Sequence, residues 1–491
     1  MKKNYLALFF IILTGSWLRL MGVFSNSFAF TYDVGRDMLA LFDISHFVHL
    51  PFIGATTGLP GIYYGPWWYY MLTPFFFVSG GNPQFIAFVM ALVGIATVFL
   101  AYLFGKKIGG EFLGFSFAAL TSVSPIMISL SSQIWNPNIA PFFGLLTLIV
   151  LEKIYSDKKT GLINFFSLGM LLTLAIDIEI VWGLLFSFSI ILSAFLIRMF
   201  RFSLKEIVVF FAGCALILFP RILFEVKNYF LMTKSLFLFF GTGTPRQASF
   251  IQAIPDRTNI FLNQFVDTLA SNNKALAVIE IIFILICISL LYKRVNQNIK
   301  DFIKTAGIII GIFFLGTAFF SHDIWPHYLV GLPIFYIFLF AISLDLLRLR
   351  LKNLLVPSAI LLIVFLFNFN PISFIENFSK PLWEGDASVY RNQLAVVDYV
   401  YKQASGRKFK YVVYTPPVHD YTYQYLFKWY GSGHYGYLPS EGSNLAYFIL
   451  EPDNQYPKRL SDWLIKREGD GRIIKSQVVK GGIIVQTRVN E

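Results

Sequence analysis

Two aspartates four residues apart, Asp33 and Asp37, with Arg36 between them, stand just past the first apolar run of the chain. On a helix they share one face. Thr31 is placed to cap such a helix, Asp33 falls in its favourable first turn, and Val34, Met38 and Leu41 form an apolar stripe expected to lie on the bilayer surface. The structural alternative is a surface helix with an Asp33–Arg36 salt bridge; the chemical one is a carboxylate that takes a proton from an acceptor hydroxyl. A second acidic pair, Asp177 and Glu179, marks the tip of a tight turn between two apolar runs, where a carboxylate is costly without a partner or a task. Arg221, Lys227, Lys234, Arg246 and Arg257 are cations suited to a phosphate, with Glu225 beside them. His322 and His327 offer metal-type nitrogens, but not at a spacing diagnostic of zinc.

The elements that position these groups follow from composition. The 491 residues are 56% hydrophobic and only 14% charged, with a mean hydropathy of +0.63, whereas a soluble chain carries about a quarter charged residues. This is a polytopic membrane protein. The net charge of +12 is not gathered into a basic cluster with a nucleic-acid-binding motif, so nucleic acid is excluded as a partner. Cys214 and Cys287 lie inside apolar runs and read as small buried hydrophobes.

Lys2 and Lys3 precede an uncleaved first span from Tyr5 to about Met21, which places the N-terminus inside and Asp33 outside. Tyr63 to Val78 is too short to cross and lies in the outer interface, its tyrosines and tryptophans at headgroup level. Spans then alternate. One runs from Phe85 to Lys106-Lys107, one from Glu111 to Leu130 and back to Lys153, and one from Leu162 to Asp177 and back to Arg198. Another ends near Phe219-Pro220-Arg221, followed by an amphipathic outer loop from about Phe224 to Lys274 and four more spans ending near Asn370. Counted so, there are about eleven, with lysine or arginine on every inner loop. Residues 1–370 form the membrane module, with outer loops 25–83 and 224–275, and residues 371–491 form a soluble α/β domain outside. Its strands are expected at Tyr411–Tyr414, Leu445–Leu450 and Gly482–Val485, its helices at Val389–Gln403 and Lys458–Lys466. The aromatic stretch Tyr411–Trp429 reads as packed core with tyrosines at its rim rather than as a glycan-binding face.

All six histidines fall on the outer side in this topology, and the same face carries Asp33, Asp37, Asp177, Glu179, Arg221, Glu225 and Asp323. Such an arrangement suits group transfer from a lipid-linked phosphate donor, with a carboxylate as base and a cation or divalent metal opposite the departing phosphate. No soluble nucleotide-sugar, P-loop or dinucleotide motif is present, which favours a donor delivered within the membrane.

Tyr32-Asp33-Val34-Gly35-Arg36-Asp37, then Gly65-Pro66-Trp67-Trp68-Tyr69-Tyr70, then Ser132-Gln133-Ile134-Trp135-Asn136-Pro137-Asn138, resembles the GT-C superfamily of integral membrane glycosyltransferases. The likeness is to the branch of protein O-mannosyltransferases and lipid A aminoarabinose transferases, and it covers roughly Met1 to Asn370. The resemblance implies a GT-C-like polytopic fold, a polyprenyl-phosphate sugar donor, inversion, and Asp33 as the base. Many relatives carry a second acidic residue directly after that aspartate; here Val34 follows, and Asp37, Asp177 or Glu179 is left for the second role. Asp33 and Asp37 are thus the catalytic candidates, and Arg36, Tyr63, Tyr64, Arg221, Glu225 and His327 the substrate-binding ones. Asp177 and Glu179 are candidate ligands of a divalent cation, Mg or Mn. The acceptor is an envelope protein, lipid or glycan, and the place is the cell membrane. A transporter or flippase of lipid-linked sugars, or an inactive envelope scaffold, is the alternative; a transporter predicts ionisable groups near the midplane and a repeat, which the sequence does not display.

Overall fold

The computed structural model describes residues 2–156, 161–198, 202–241, 249–320, 323–369, 386–416 and 419–490. The expected boundary at 370/371, Arg246 and His322 lie outside them. Sixteen helices precede that boundary among the described residues. They are α1 (Lys2–Phe24), α2 (Tyr32–Ser45), α3 (Trp67–Val78), α4 (Pro83–Gly109), α5 (Glu111–Val123), α6 (Pro125–Ser131), α7 (Ala140–Ser156) and α8 (Leu162–Ile178), followed by α9 (Ile180–Arg198), α10 (Leu204–Lys227), α11 (Leu231–Gly241), α12 (Phe250–Leu269), α13 (Lys274–Leu291), α14 (Gln297–Phe319), α15 (Pro333–Leu351) and α16 (Leu355–Phe369). Eight helices are long and apolar enough to cross a membrane, or nine with α5 and α6 as one broken span; the other two of the about eleven spans read from the sequence fall on the shorter apolar helices α8 and α16.

The structure adds to or departs from several expectations. The span from Glu111 to Leu130 is broken within: α5 and α6 meet at a bend of 65°. Pro125 has no N–H to give the Thr121 carbonyl one turn back, and Arg19 of α1 supplies the missing donors. Fully buried, it donates to the carbonyls of Thr121 (3.0 Å), Ser122 (2.9 Å) and Gly15 (3.0 Å) and to the Ser131 hydroxyl (3.2 Å). Second, Pro220 does not end α10, which runs on to Lys227. The indole of Trp67 donates to the Ile217 carbonyl (2.8 Å) just ahead of that proline, the kind of outside partner that lets an apolar helix keep a proline. Third, the outer loop 224–275 is largely helical, built of the end of α10 with α11 and α12.

The stripe of α2 does not lie on the bilayer either. Val34, Met38 and Leu41 are buried in the protein core, because α2 packs against α3 and against the C-terminal region. Thr31 occupies the N-cap position, but its hydroxyl makes no cap hydrogen bond.

The C-terminal region contains α17 (Tyr390–Ala404), β1 (Lys410–Tyr414), α18 (Tyr421–Leu426) continued by a π-helical turn to Tyr435, β2 (Leu445–Leu450), α19 (Pro457–Ile465), β3 (Arg472–Val478) and β4 (Ile484–Val489). The sheet order is β1-β2-β4-β3, with β1 parallel to β2 and the other two pairs antiparallel. β2 is buried along its whole length, as an unbroken apolar run requires. β3, which the sequence reading did not anticipate, is exposed along its whole length. The last strand begins two residues later than expected.

This region is sewn to the membrane part. Phe30 N–H donates to the Ser388 carbonyl (2.7 Å), and Tyr390 N–H to that of Phe28 (3.1 Å). Phe28 also stacks on Tyr390 with ring centres 4.9 Å apart. Trp429 donates to the Gly80 carbonyl (2.7 Å), Tyr425 to that of Gly81, and Lys428 pairs with Asp43 (3.0 Å). Tyr423, Tyr425 and Phe427 are core, continuous with the helical core below.

Candidate active site

The first turn of α2 presents Asp33 with about a fifth of its side chain exposed, while Asp37, one turn on, is buried. Arg36 ties the two together: Nη1 reaches Asp33 Oδ1 at 2.7 Å, and Nε and Nη2 reach Asp37 Oδ1 at 3.0 and 2.8 Å. Asp37 accepts two further bonds from α3, Trp68 Nε1 at 2.9 Å and the Tyr69 hydroxyl at 3.1 Å. Its carboxylate is thus enclosed by donors, whereas Asp33 keeps an open side. Burial raises the Asp33 pKa above the ordinary aspartate value and Asp37 adds to that, while the Arg36 charge opposes it.

Asp33 lines a cavity of about 440 Å³ between α2, the stretch Gln133–Trp135 and the C-terminal region, whose Gln393, Thr415, His419 and Glu451 form the far wall. A second cavity of about 750 Å³ adjoins it, sharing Ala29, Gln133, Asp386 and Ser388, and reaches between α1, α6 and the end of α16.

The turn between α8 and α9 carries the second acidic pair, and the two residues differ. Asp177 Oδ2 accepts the Trp67 N–H (3.1 Å), its backbone carbonyl accepts the Gly65 N–H (2.9 Å), and Arg221 Nη2 lies 3.2 Å from Oδ1. A side chain at Gly65 would start 1.5 Å from the Asp177 carboxylate, so only glycine lets the two segments meet. Glu179 Oε1 accepts the Val181 N–H (3.4 Å), the Tyr64 hydroxyl lies within electrostatic reach, and its Oε2 has no hydrogen-bond partner. Burial pushes the Glu179 carboxyl up to about 7, with those two donors pulling the other way. Tyr64 feels Glu179, Tyr328 and Asp33, which places the two acidic sites within electrostatic reach of one phenol; burial and these charges raise its pKa, so it stays a donor.

The remaining sequence candidates are placed as follows. Tyr63 pairs with Thr56 in a short bridge and meets Phe224 edge-on at 5.7 Å. Arg221 is largely buried, and its Nε and Nη2 have no hydrogen-bond partner. Glu225 accepts from the N–H groups of Met232 (2.8 Å) and Thr233 (3.0 Å), so its carboxylate serves the start of α11. His327 packs against Trp135 (5.3 Å) and Tyr328 (4.6 Å). Among the described residues no three His, Cys, Asp or Glu groups gather closely enough to hold a metal; of the Asp177–Glu179 pair, Asp177 Oδ1 faces Arg221, and Glu179 Oε2 has neither a hydrogen-bond nor an ion-pair partner.

Sequence reasoning missed the far wall. Its signal was present in Glu451, a carboxylate directly after the apolar run of β2, but nothing local says that this strand end faces Asp33.

The sequence matches no family model and no curated protein. In structure the chain is similar to ArnT from Cupriavidus metallidurans bound to undecaprenyl phosphate, with a TM-score of 0.61 and 10% identity over 99% of this chain and 98% of that one. It is also similar to ArnT from the same organism in the apo state, with a TM-score of 0.51 and 11% identity over 92% and 97%. The apolar spans and the small mixed sheet after them make this chain a polytopic membrane protein that shares the fold of these ArnT structures.

Proposed function

We propose that the chain is an inverting glycosyltransferase that moves a sugar from a polyprenyl-phosphate donor to an envelope acceptor at the outer face of the cell membrane, with the N-terminus inside and the C-terminal region, from 371 on, outside. The observation that carries this reading is Asp33, a carboxylate with its open side on a cavity beside the membrane spans. The ArnT structure bound to undecaprenyl phosphate supports the donor class. In the reaction Asp33 takes the proton of an acceptor hydroxyl, and the oxygen bonds to the anomeric carbon. The bond from that carbon to the phosphate oxygen breaks, its electron pair leaving with the polyprenyl phosphate. Arg221, which pairs with Asp177 through Nη2 and has an Nε without a hydrogen-bond partner, takes the departing phosphate. Tyr63, Tyr64 and His327 supply aromatic surface and a donor to the sugar. Asp37 fixes Arg36, and Arg36 fixes Asp33, by the bonds given above. Glu225 acts on this site only through α11.

The test is transfer of radiolabelled sugar from undecaprenyl-phosphate donors to envelope extract by purified protein. Asp33→Asn is expected to lower transfer by about 10²–10⁴, the usual share of a general base, with its melting temperature unchanged. A divalent cation, Mg or Mn, would have Glu179 as its side-chain ligand; loss of transfer in EDTA, restored by either metal, would require it. One observation favours the transport reading: Glu280 of α13 is buried inside an apolar span with both carboxylate oxygens unpartnered. Movement of lipid without transfer of sugar would replace the enzyme reading with that one.

A further inference from the structure

We infer that the cavity between Asp33 and the C-terminal region is the acceptor site, and that it takes an uncharged, hydroxyl-rich acceptor and rejects an anionic one. This rests on the glycosyltransferase reading above. Among the described residues its lining holds three carboxylates, Asp33, Asp386 and Glu451, and no lysine or arginine. The two arginines near the site are already engaged by carboxylates, Arg36 by Asp33 itself and by Asp37, and Arg221 by Asp177. Glu451 is 5% exposed and is held by neutral donors alone: Thr415 Oγ1 at 2.7 Å, Tyr423 Oη at 2.9 Å and Gln393 Nε2 at 3.1 Å. A phosphate or carboxylate in this space would meet Asp386 and Glu451 on the far wall with no lysine or arginine beside them among the described residues, a repulsion that low dielectric enlarges.

A second observation points to what the wall does want. Gln393, 3% exposed, is part of the lining. Its amide orientation is set, because a carboxylate accepts and only Nε2 can face Glu451. That leaves Oε1 as an acceptor with no partner among the described residues. An unpaired buried acceptor is satisfied by a hydroxyl, and acceptor hydroxyls seated there face Asp33 across the cavity. The C-terminal region is thereby the acceptor wall of the active site, and Gln393 and Glu451 select the acceptor's charge.

The test uses the full chain in nanodiscs with undecaprenyl-phosphate sugars, and methyl glucoside and methyl glucoside 6-phosphate as competing acceptors. Binding of the same pair is followed by saturation-transfer NMR, which needs no donor. Methyl glucoside is expected to bind and accept, with its phosphate at least about tenfold weaker. Gln393→Leu should raise the methyl glucoside KM about tenfold with kcat kept, the value of one hydrogen bond, and Glu451→Gln should narrow the gap between the two acceptors. Thr415→Val, at the cavity surface, replaces either variant that does not fold and should narrow the gap in the same way. Preference for the phosphate, or an unchanged KM and gap in these variants, overturns the inference while transfer itself stands. Binding of methyl glucoside without transfer from any donor instead overturns the glycosyltransferase reading, and the acceptor assignment with it.

Discussion

Asp33 and Glu179 are both carboxylates drawn away from water, yet their company differs, and the difference sets what each does with pH. Asp33 keeps Arg36 within 2.7 Å, whose charge opposes the upward push of burial on its carboxyl. Glu179 has only a phenol and an N–H, with one oxygen unpartnered, and its carboxyl is pushed up to about 7. A raised carboxyl pKa means that the folded protein binds the proton more tightly than the unfolded chain. Stability from this group is full below the ordinary glutamate value near 4.5, falls as pH rises, and is gone above about 7. Each unit of the difference is worth about 1.4 kcal/mol. Glu179→Gln is therefore expected to flatten the fall in melting temperature between pH 5 and 8 and to be the more stable form at pH 8; a wild-type slope retained in the variant would refute this. The sequence made Asp33, Asp37, Asp177 and Glu179 conspicuous because carboxylates beside apolar runs are rare. It could not separate open from closed ones, since that depends on Trp68, Tyr69, Trp67 and Arg221, which arrive from other helices.

At the scale of elements, apolar runs bounded by lysine and arginine made the crossings legible, since bilayer thickness alone fixes their length. What hydropathy does not carry is a break inside such a run. Pro125 sits in an unbroken apolar stretch, and the partner that makes its bend tolerable, Arg19, is more than a hundred residues away in sequence. β3 was illegible for the opposite reason: a fully exposed edge strand needs no apolar pattern. Arg19 carries the prediction at this scale. Removing its guanidinium strands the carbonyls of Thr121 and Ser122 away from water, at about 1–3 kcal/mol for each buried group left unpaired. Arg19→Met should lower the melting temperature in detergent by several degrees, and Arg19→Lys, which restores charge but fewer donors, should recover only part of it. Equal melting temperatures for Met and wild type would mean that the bend holds without the arginine.

For the whole molecule the question is how a soluble-looking tail becomes part of a membrane site, and the answer turns on one glycine. Where α18 crosses α2, a Cβ at Gly35 would lie 2.4 Å from the Thr422 nitrogen and 2.5 Å from the Tyr421 carbonyl carbon, atoms of a backbone that cannot turn aside as a side chain can. Gly35 lies between Val34, which lines the cavity from α2, and Arg36, which orients Asp33; Thr422 lines the same cavity from the tail. Gly35→Ala therefore pushes the acceptor wall off the base without touching any group that does chemistry. The membrane spans have no part in this contact and should keep their packing. The expected result is a tail cut faster by protease and transfer lowered by about tenfold or more, since a shift near 1 Å in a positioned site costs up to about 10² in rate. Loss of transfer with an unchanged tail would place the fault in α2 itself, whereas a loosened tail with full transfer would show that the C-terminal region is no part of the site.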